Sequence, residues 1–253
     1  MPSLELLEDE TIWRQTLGWQ PSAAQQAVFQ KLYAEVVAAN QQFNLTRITE
    51  PADFWEKHLW DSLSGLAPWL NPDFAWQLPD ALRSQALQVV DIGTGAGFPG
   101  LPAAIALPHW QVVLLDSTQK KIRFLETLAQ TLHLPNVRGL AGRAETVGRQ
   151  PNWRERFDLA LVRAVGTAAT CAEYALPLLR KGGVAVLYRG QWSEAETETL
   201  RPAIEQLGGA IAHLQPSLTP LTQGQRHCLY VQKVQPTPAE FPRAVGVPAK
   251  LPL

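Results

Sequence analysis

The stretch Asp91-Ile-Gly93-Thr-Gly95-Ala-Gly97-Phe-Pro-Gly100 constrains this chain more than any other, because it directly follows the apolar run Leu87-Gln-Val-Val. A strand-like run, a cluster of glycines and then Pro99 and Pro102 read as strand, tight turn and first turn of a helix. Glycine lets the backbone take positive φ, and lets a ligand approach loop amides and a helix N-terminus without a Cβ in the way. A glycine loop on its own is often only a turn. Its place between strand and helix favours a nucleotide-like ligand at the carboxyl edge of a sheet.

Beyond the loop the alternation repeats. Gln111-Val-Val-Leu-Leu-Asp116 is a second strand, and Gln119 to Leu132 an amphipathic helix with Ile122, Leu125 and Leu128 on one face. Asn136 to Ala141 and Phe157 to Val162 read as strands, and Thr167 to Leu179 as a helix. Lys181-Gly-Gly punctuates the chain before the strand Val184 to Tyr188; Ser193 to Leu207 is helical, and His227 to Gln235 is a last strand. Interleaved strands and helices imply a Rossmann-like α/β fold, a doubly wound and mainly parallel sheet.

Upstream the pattern is helical. Val28, Leu32, Val36 and Ala39 recur at helix spacing between Ser22 and Phe43, and a second helix starts at Glu50-Pro51 and runs to Gly65. Six of the nine tryptophans lie within residues 1–76, so this part must bury them against the sheet domain. The expected organisation is a helical extension over 1–84, a ligand-binding domain over 85–235, and an extended tail over 236–253, which carries five prolines. Two cysteines without a CxxC pair support neither a disulfide framework nor a metal site. The start shows no basic-then-apolar leader and no apolar run is long enough to span a bilayer. The expectation is a cytoplasmic protein with no membrane partner.

Asp91 bears on which ligand the loop takes. A carboxylate two residues before Gly93 would repel a dinucleotide's pyrophosphate, but favours the ammonium and sulfonium of S-adenosylmethionine. Asp116, nineteen residues after Gly97 and closing its strand, suits the two ribose hydroxyls. Its structural alternative is a cap for the helix after Ser117-Thr118. Past the third strand, Arg143-Ala144-Glu145 offers a side chain or a backbone amide to the adenine edge.

With these pieces placed, the sequence resembles the bacterial small-subunit (16S) ribosomal RNA guanine-7-methyltransferase family, also called the glucose-inhibited division protein B family. The resemblance rests on Phe43-Asn-Leu-Thr46, Lys57-His-Leu-Trp-Asp-Ser-Leu63, the glycine loop through Leu-Pro102, Leu115 to Leu125, Gly142-Arg-Ala-Glu145, Phe157 to Ala164, Leu178 to Gly183, and the Phe241-Pro-Arg tail ending in Pro-Ala-Lys-Leu-Pro-Leu253. It covers about residues 25–253, and only Trp60, where an aliphatic residue is more usual, departs from it. It implies a class I methyltransferase with a helical N-terminal part. It implies S-adenosylmethionine as cofactor, held by Gly93, Phe98, Asp116, Ser117, Thr118, Ala144, Glu145 and Arg163, to which the reading of the loop adds Asp91, Gly95 and Gly97. It also implies small-subunit ribosomal RNA, or the assembling 30S subunit, as partner.

Guanine N7 carries an in-plane lone pair and needs no deprotonation, so catalysis reduces mainly to holding donor and acceptor in line. Val162-Arg-Ala-Val is not the Asn-Pro-Pro-Tyr of amino-group methyltransferases, and no Pro-Cys pair supplies a nucleophile. Cys171 and Cys228 read as packing residues. Arg163 and His58 are the catalytic candidates. Arg163 would otherwise be an ion pair with Asp158 or Glu145, and His58 a histidine satisfied within helical packing. Net charge is only −1, but residues 138–163 carry six arginines against three acids. The plain reading is a solvated face; the functional one has Arg149 and Arg154 touching RNA phosphates. A methyltransferase for a protein or small molecule, and a noncatalytic binding protein on this fold, stay open on the loop alone; Asp91 disfavours an NAD-dependent oxidoreductase.

Overall fold

The computed structural model describes residues 5–6, 10–79, 82–83 and 86–253. The boundary expected at 84/85, and nearly all of the first nine residues, lie outside the described ones. The chain opens with helices α1 (Glu10–Leu17) and α2 (Ala23–Phe43). Ser22 caps α2 in a reciprocal box: its Oγ accepts from the Gln25 amide while the Gln25 side chain accepts from the Ser22 amide. Such a cap is worth about 1 kcal/mol. A continuous helical segment follows as α3 (Pro51–Phe54), a π-helical turn (Trp55–Trp60) and α4 (Asp61–Ser64), then α5 (Ala67–Leu70). Helix was expected here, but not the wide π-turn. It rotates Lys57, His58 and Asp61 relative to an α-helical register, and such turns recur at functional sites.

The alternating part contains β1 (Gln88–Ile92), α6 (Gly100–Ala106), β2 (Gln111–Asp116), α7 (Gln119–Thr131), β3 (Val137–Ala141) and α8 (Ala144–Val147). It continues with β4 (Phe157–Arg163), α9 (Ala168–Ala175), β5 (Leu179–Arg189), α10 (Glu194–Gln206), β6 (Gly209–Leu218) and β7 (Gln225–Lys233). The seven strands form one sheet in the order β3-β2-β1-β4-β5-β7-β6. The β1–β2, β2–β3, β1–β4 and β4–β5 pairs are parallel; β7 runs antiparallel to β5 and to β6. From β1 the chain winds outward first through β2 and β3, then on the other side through β4 and β5. That reversal opens a crevice at the carboxyl ends of the strands.

The period of two in the strands decides which side chain faces which layer. Val89, Leu159 and Leu161 join the cluster shared with α6, α7 and the N-terminal helices, whereas Val90, Ile92, Ala160 and Val162 face α9 and α10. Of the six tryptophans in residues 1–76, Trp13, Trp55 and Trp60 are buried, the last two about 1% exposed, and Trp19, Trp69 and Trp76 are partly buried against the same core. The Trp13 ring lies 4.7 Å from that of Trp55, and the Trp69 ring 5.7 Å from that of Trp110. Each fully buried large side chain contributes about 2–3 kcal/mol.

Two sequence expectations shift. β6 is an extra strand that hydrophobic alternation did not reveal, because Pro216 interrupts it; as an edge strand it tolerates the missing donor. β5 starts at Leu179, five residues early, so Lys181-Gly-Gly lies inside a strand, at an irregularity in its pairing with β4. A Cβ on Gly183 would stand 2.9 Å from the Asp158 carbonyl, so the glycine is there for close backbone approach. Beyond β7 the chain is irregular until a short helix, α11 (Val247–Lys250), that packs on α9.

Candidate active site

The crevice beside the glycine loop is lined by Ile92 and Gly93 from the end of β1, Leu115, Asp116 and Ser117 from the end of β2, and Gly142 to Glu145 after β3. Val165, Tyr174 and Ala249 complete it. Gly93 has φ +71°, and an added Cβ would meet a Val165 methyl at 2.6 Å. Gly95 has φ +59° and faces space, with only the Gly93 carbonyl 3.8 Å from an added Cβ. Between them they bare the loop backbone toward the crevice.

Asp116 is the acid of this crevice. Its Oδ1 accepts from the Thr118 amide at 2.8 Å and its Oδ2 from the Gly95 amide at 3.2 Å, so loop and β2 hold it rigid while it still lines the opening. Its carboxylate therefore steadies the turn into α7 and also faces the crevice, while the N-cap position itself falls to Thr118. Thr118 takes the N-cap position of α7 with no side-chain capping bond, and both Ser117 and Thr118 are exposed.

Several sequence-predicted residues sit beneath the crevice instead of on it. Asp91 is fully buried; its Oδ2 accepts from Thr94 Oγ1 at 2.6 Å and from the Gly100 amide at 2.8 Å, while Oδ1 has no partner. Its carboxyl is pushed up to about 6, mainly by burial, against the pull of those two bonds and of Arg163. The expected direct attraction of a cation is corrected accordingly: the carboxylate ties the loop to α6 from below. Gly97 and Phe98 are buried too, and a Cβ on Gly97 would stand 2.5 Å from Leu101, so this glycine serves helix packing.

His58 and Arg163 meet under the loop. The imidazole stacks on the Phe98 ring at 4.3 Å and 8°. Arg163 donates to the Lys57 carbonyl and to Asp61 Oδ2, both at 2.7 Å, and approaches His58 Nδ1 at 3.3 Å. A guanidinium has only donors, so Nδ1 accepts and Nε2–H donates to Thr46 Oγ1 at 2.9 Å. Burial first, and Arg163 second, depress the His58 pKa to about 3. This is a neutral imidazole with both nitrogens occupied, which corrects its assignment as a group reaching the acceptor. The partner of Arg163 is Asp61 and neither Asp158, which pairs with Arg180, nor Glu145. Ala164, next in the chain, takes φ +57°, unusual for a residue with a Cβ; it turns the chain between Arg163 below and Val165 at the loop.

Sequence reasoning missed the latch around Asp61. Its other oxygen accepts from Arg226 of β7 at 3.1 Å, so one carboxylate joins the helical segment to β4 and β7. Glu56, one turn earlier, accepts from the Leu221 and Thr222 amides at 2.6 and 2.9 Å. The Lys57-to-Leu63 motif was visible, but the ion-pair partners of Asp61 lie more than a hundred residues away.

The basic stretch also resolves differently. Arg149 donates to the Pro242 and Glu240 carbonyls at 2.8 and 2.7 Å. Arg154 donates to the Phe241 and Thr237 carbonyls at 2.8 and 2.7 Å. Both bind the chain's own tail, which corrects the reading of them as phosphate contacts. Arg138 lies over the Trp153 ring at 4.6 Å. Among the described residues no group of three or more His, Cys, Asp or Glu could hold a metal ion, and no helix is long and apolar enough to cross a membrane.

A doubly wound sheet whose crevice bares a glycine loop beside a rigid acid at the end of β2 is that of a class I, S-adenosylmethionine-dependent methyltransferase. The fold is shared with the 16S rRNA (adenine(1408)-N(1))-methyltransferase of Catenulisporales acidiphilia, at TM-score 0.50 and 19% identity over 63% of this chain and 92% of that one. The chain belongs to the family described as rRNA small subunit methyltransferase G, whose model matches residues 25–228. It is 55% identical over 248 residues to the ribosomal RNA small subunit methyltransferase G of Trichormus variabilis, covering 98% of each chain. To the protein of the same name from Synechococcus elongatus it is 54% identical over 95% of each.

Proposed function

We propose that this enzyme transfers the methyl group of S-adenosylmethionine to N7 of a guanosine in 16S ribosomal RNA, in the cytoplasm, where small subunits assemble. The observation that carries the reading is the crevice itself, lined by Gly93 and bounded by Asp116, whose carboxylate the Gly95 amide holds, on a chain of this family. In it, Asp116 holds the ribose, Gly93 and Gly95 admit the methionine part to the loop amides, and the backbone at Ala144 and Glu145 with Ser117 faces the base. Thr118 supports Asp116 through its amide. Asp91, Gly97, Phe98, His58 and Arg163 form the floor that fixes the loop. Residues 10–79 brace that floor, 86–235 bind the cofactor, and 236–253 return to its edge.

When bound, the cofactor supplies an electrophilic methyl on a sulfonium. The chain's part is then alignment, since N7 presents its lone pair without losing a proton, and alignment supplies several kcal/mol. The environment of the candidate groups agrees with this. His58 is neutral and fully hydrogen-bonded, and burial pushes the Cys171 thiol up to about 11. Neither is poised as base or nucleophile.

Nucleoside mass analysis of 16S ribosomal RNA, from cells with and without the gene and after incubation with the pure enzyme, tests the reading. One 7-methylguanosine should disappear without the gene and return in vitro, on naked RNA or on assembling subunits. A different modified nucleoside, or methyl transfer to protein alone, overturns it.

A further inference from the structure

The tail after β7 lies beyond the 25–228 span of the family match, yet it is bonded to the domain at several points. Arg243 sits in a two-pronged ion pair with Glu173 of α9, with contacts of 2.6 to 3.0 Å, and its own amide donates to Glu173 Oε1 at 2.7 Å. Glu173 is fully buried, so this anchor lies in low dielectric. Thr170 Oγ1 donates to the Pro248 carbonyl at 2.8 Å, and Arg149 and Arg154 hold the carbonyls upstream.

The tethers lead to the cofactor crevice. The Gly246 amide donates to Glu145 Oε1 at 2.9 Å, and Tyr174 Oη donates to the same oxygen at 3.2 Å. Gly246 itself turns with φ +83°, and three residues later Ala249 lines the crevice opposite Gly93 and Asp116. The Glu145 side chain is thereby spoken for: 2% exposed, it accepts from the tail, from α9 and from Arg143.

We propose that residues 243–250 are a fixed wall of the cofactor crevice, and that Glu145 is a positioning residue, its carboxyl oxygen holding the Gly246 turn that places Ala249. The wall sets how closely the crevice encloses its nucleoside. The proposal rests on the crevice being the cofactor site, and the test separates the two.

The experiment is titration calorimetry with S-adenosylhomocysteine on the full chain, alongside trypsin cleavage after Arg243 followed by mass spectrometry. Ala249→Leu should weaken binding at least tenfold, whereas Ala239→Leu, on an exposed part of the tail upstream of the wall, should bind as the wild type does. Glu145→Ala should weaken binding and speed cleavage after Arg243. Glu145→Gln, which keeps an acceptor oxygen for the Gly246 amide, should restore both. Wild-type affinity in both Ala249→Leu and Glu145→Ala overturns the wall, and loss in Glu145→Gln equal to that in Glu145→Ala overturns the positioning role. Asp116→Ala is the reference. If it binds normally, the crevice reading itself fails; if it binds weakly while the tail variants do not, only the wall fails. Should Glu145→Ala not fold, Ala249→Leu still decides.

Discussion

Removing the Asp61 carboxylate tests how the helical segment is joined to the sheet. In Asp61→Ala, Arg163 loses its partner at 2.7 Å and Arg226 its partner at 3.1 Å, with Asp61 12% exposed and the two arginines 15% and 30% exposed. Breaking a buried pair by removing one member costs about 3–5 kcal/mol, and an exposed pair at most about 1 kcal/mol. Arg163 keeps its bond to the Lys57 carbonyl, and water can reach part of the gap, so the lower end applies, about 3 kcal/mol. Unfolding a chain of this size in urea has a slope near 3 kcal/mol per molar, which puts the midpoint about 1 M lower. Tryptophan fluorescence reads it, since Trp55 and Trp60 are buried in the same segment. Asp61→Asn, with an oxygen left to accept from one arginine, should lose about half as much. Glu198→Ala, which breaks an exposed pair with Arg201 on α10, should leave the midpoint where it was. Arg163 also lies 5.9 Å from the Phe98 ring under the glycine loop, so saturated methyl transfer by folded Asp61→Ala should fall at least tenfold, misplacement by about 1 Å costing up to a hundredfold. A midpoint shift below about 0.3 M together with full turnover would refute the latch, because a pair worth so little is a surface pair.

Three further outcomes rest on the same geometry. His58 has a folded-state pKa near 3 against 6.5 when exposed, so the unfolded chain binds the extra proton and stability drains away as pH falls from about 6.5 toward 3. Asp91, raised to about 6, acts in the opposite sense below that pH, so the measurement is the difference in urea midpoint between wild type and His58→Gln across pH 4–7; parallel curves would show that the histidine is not buried neutral. A Cys171→Ala, Cys228→Ala double variant should keep its saturated turnover on ribosomal RNA, both thiols being buried with pKa values raised chiefly by desolvation. Loss of turnover in a folded, cofactor-binding double variant would mean that a thiol takes part. Arg154→Ala should speed tryptic cleavage of the tail and leave the salt dependence of RNA binding unchanged; a flattened salt slope would put this arginine on phosphate after all.

Elements with a purely local cause were for the most part legible in the residues alone. Strand β1, its glycine turn and helix α6 follow from an apolar run, residues able to take positive φ, and prolines in a helix's first turn. The place of Asp116 at the end of β2 follows from strand periodicity, and the family from motifs that are contiguous in the chain. Side-chain partnerships across long sequence separations were not legible there. Asp91 was expected to face the ligand but is turned under the loop, because alternation along β1 directs it to the α6 side. His58 and Arg163 were both singled out, yet only the packing of the helical segment on β4 shows them bonded to each other, with Asp61 as the true ion-pair partner. Arg149 and Arg154 read by default as a solvated face, with RNA contact as the functional alternative; neither reading foresaw the tail carbonyls that lie against them. A charge in a sequence has a sign and an address; which group neutralises it is decided only when the whole chain closes, because that choice depends on desolvation and distance in three dimensions.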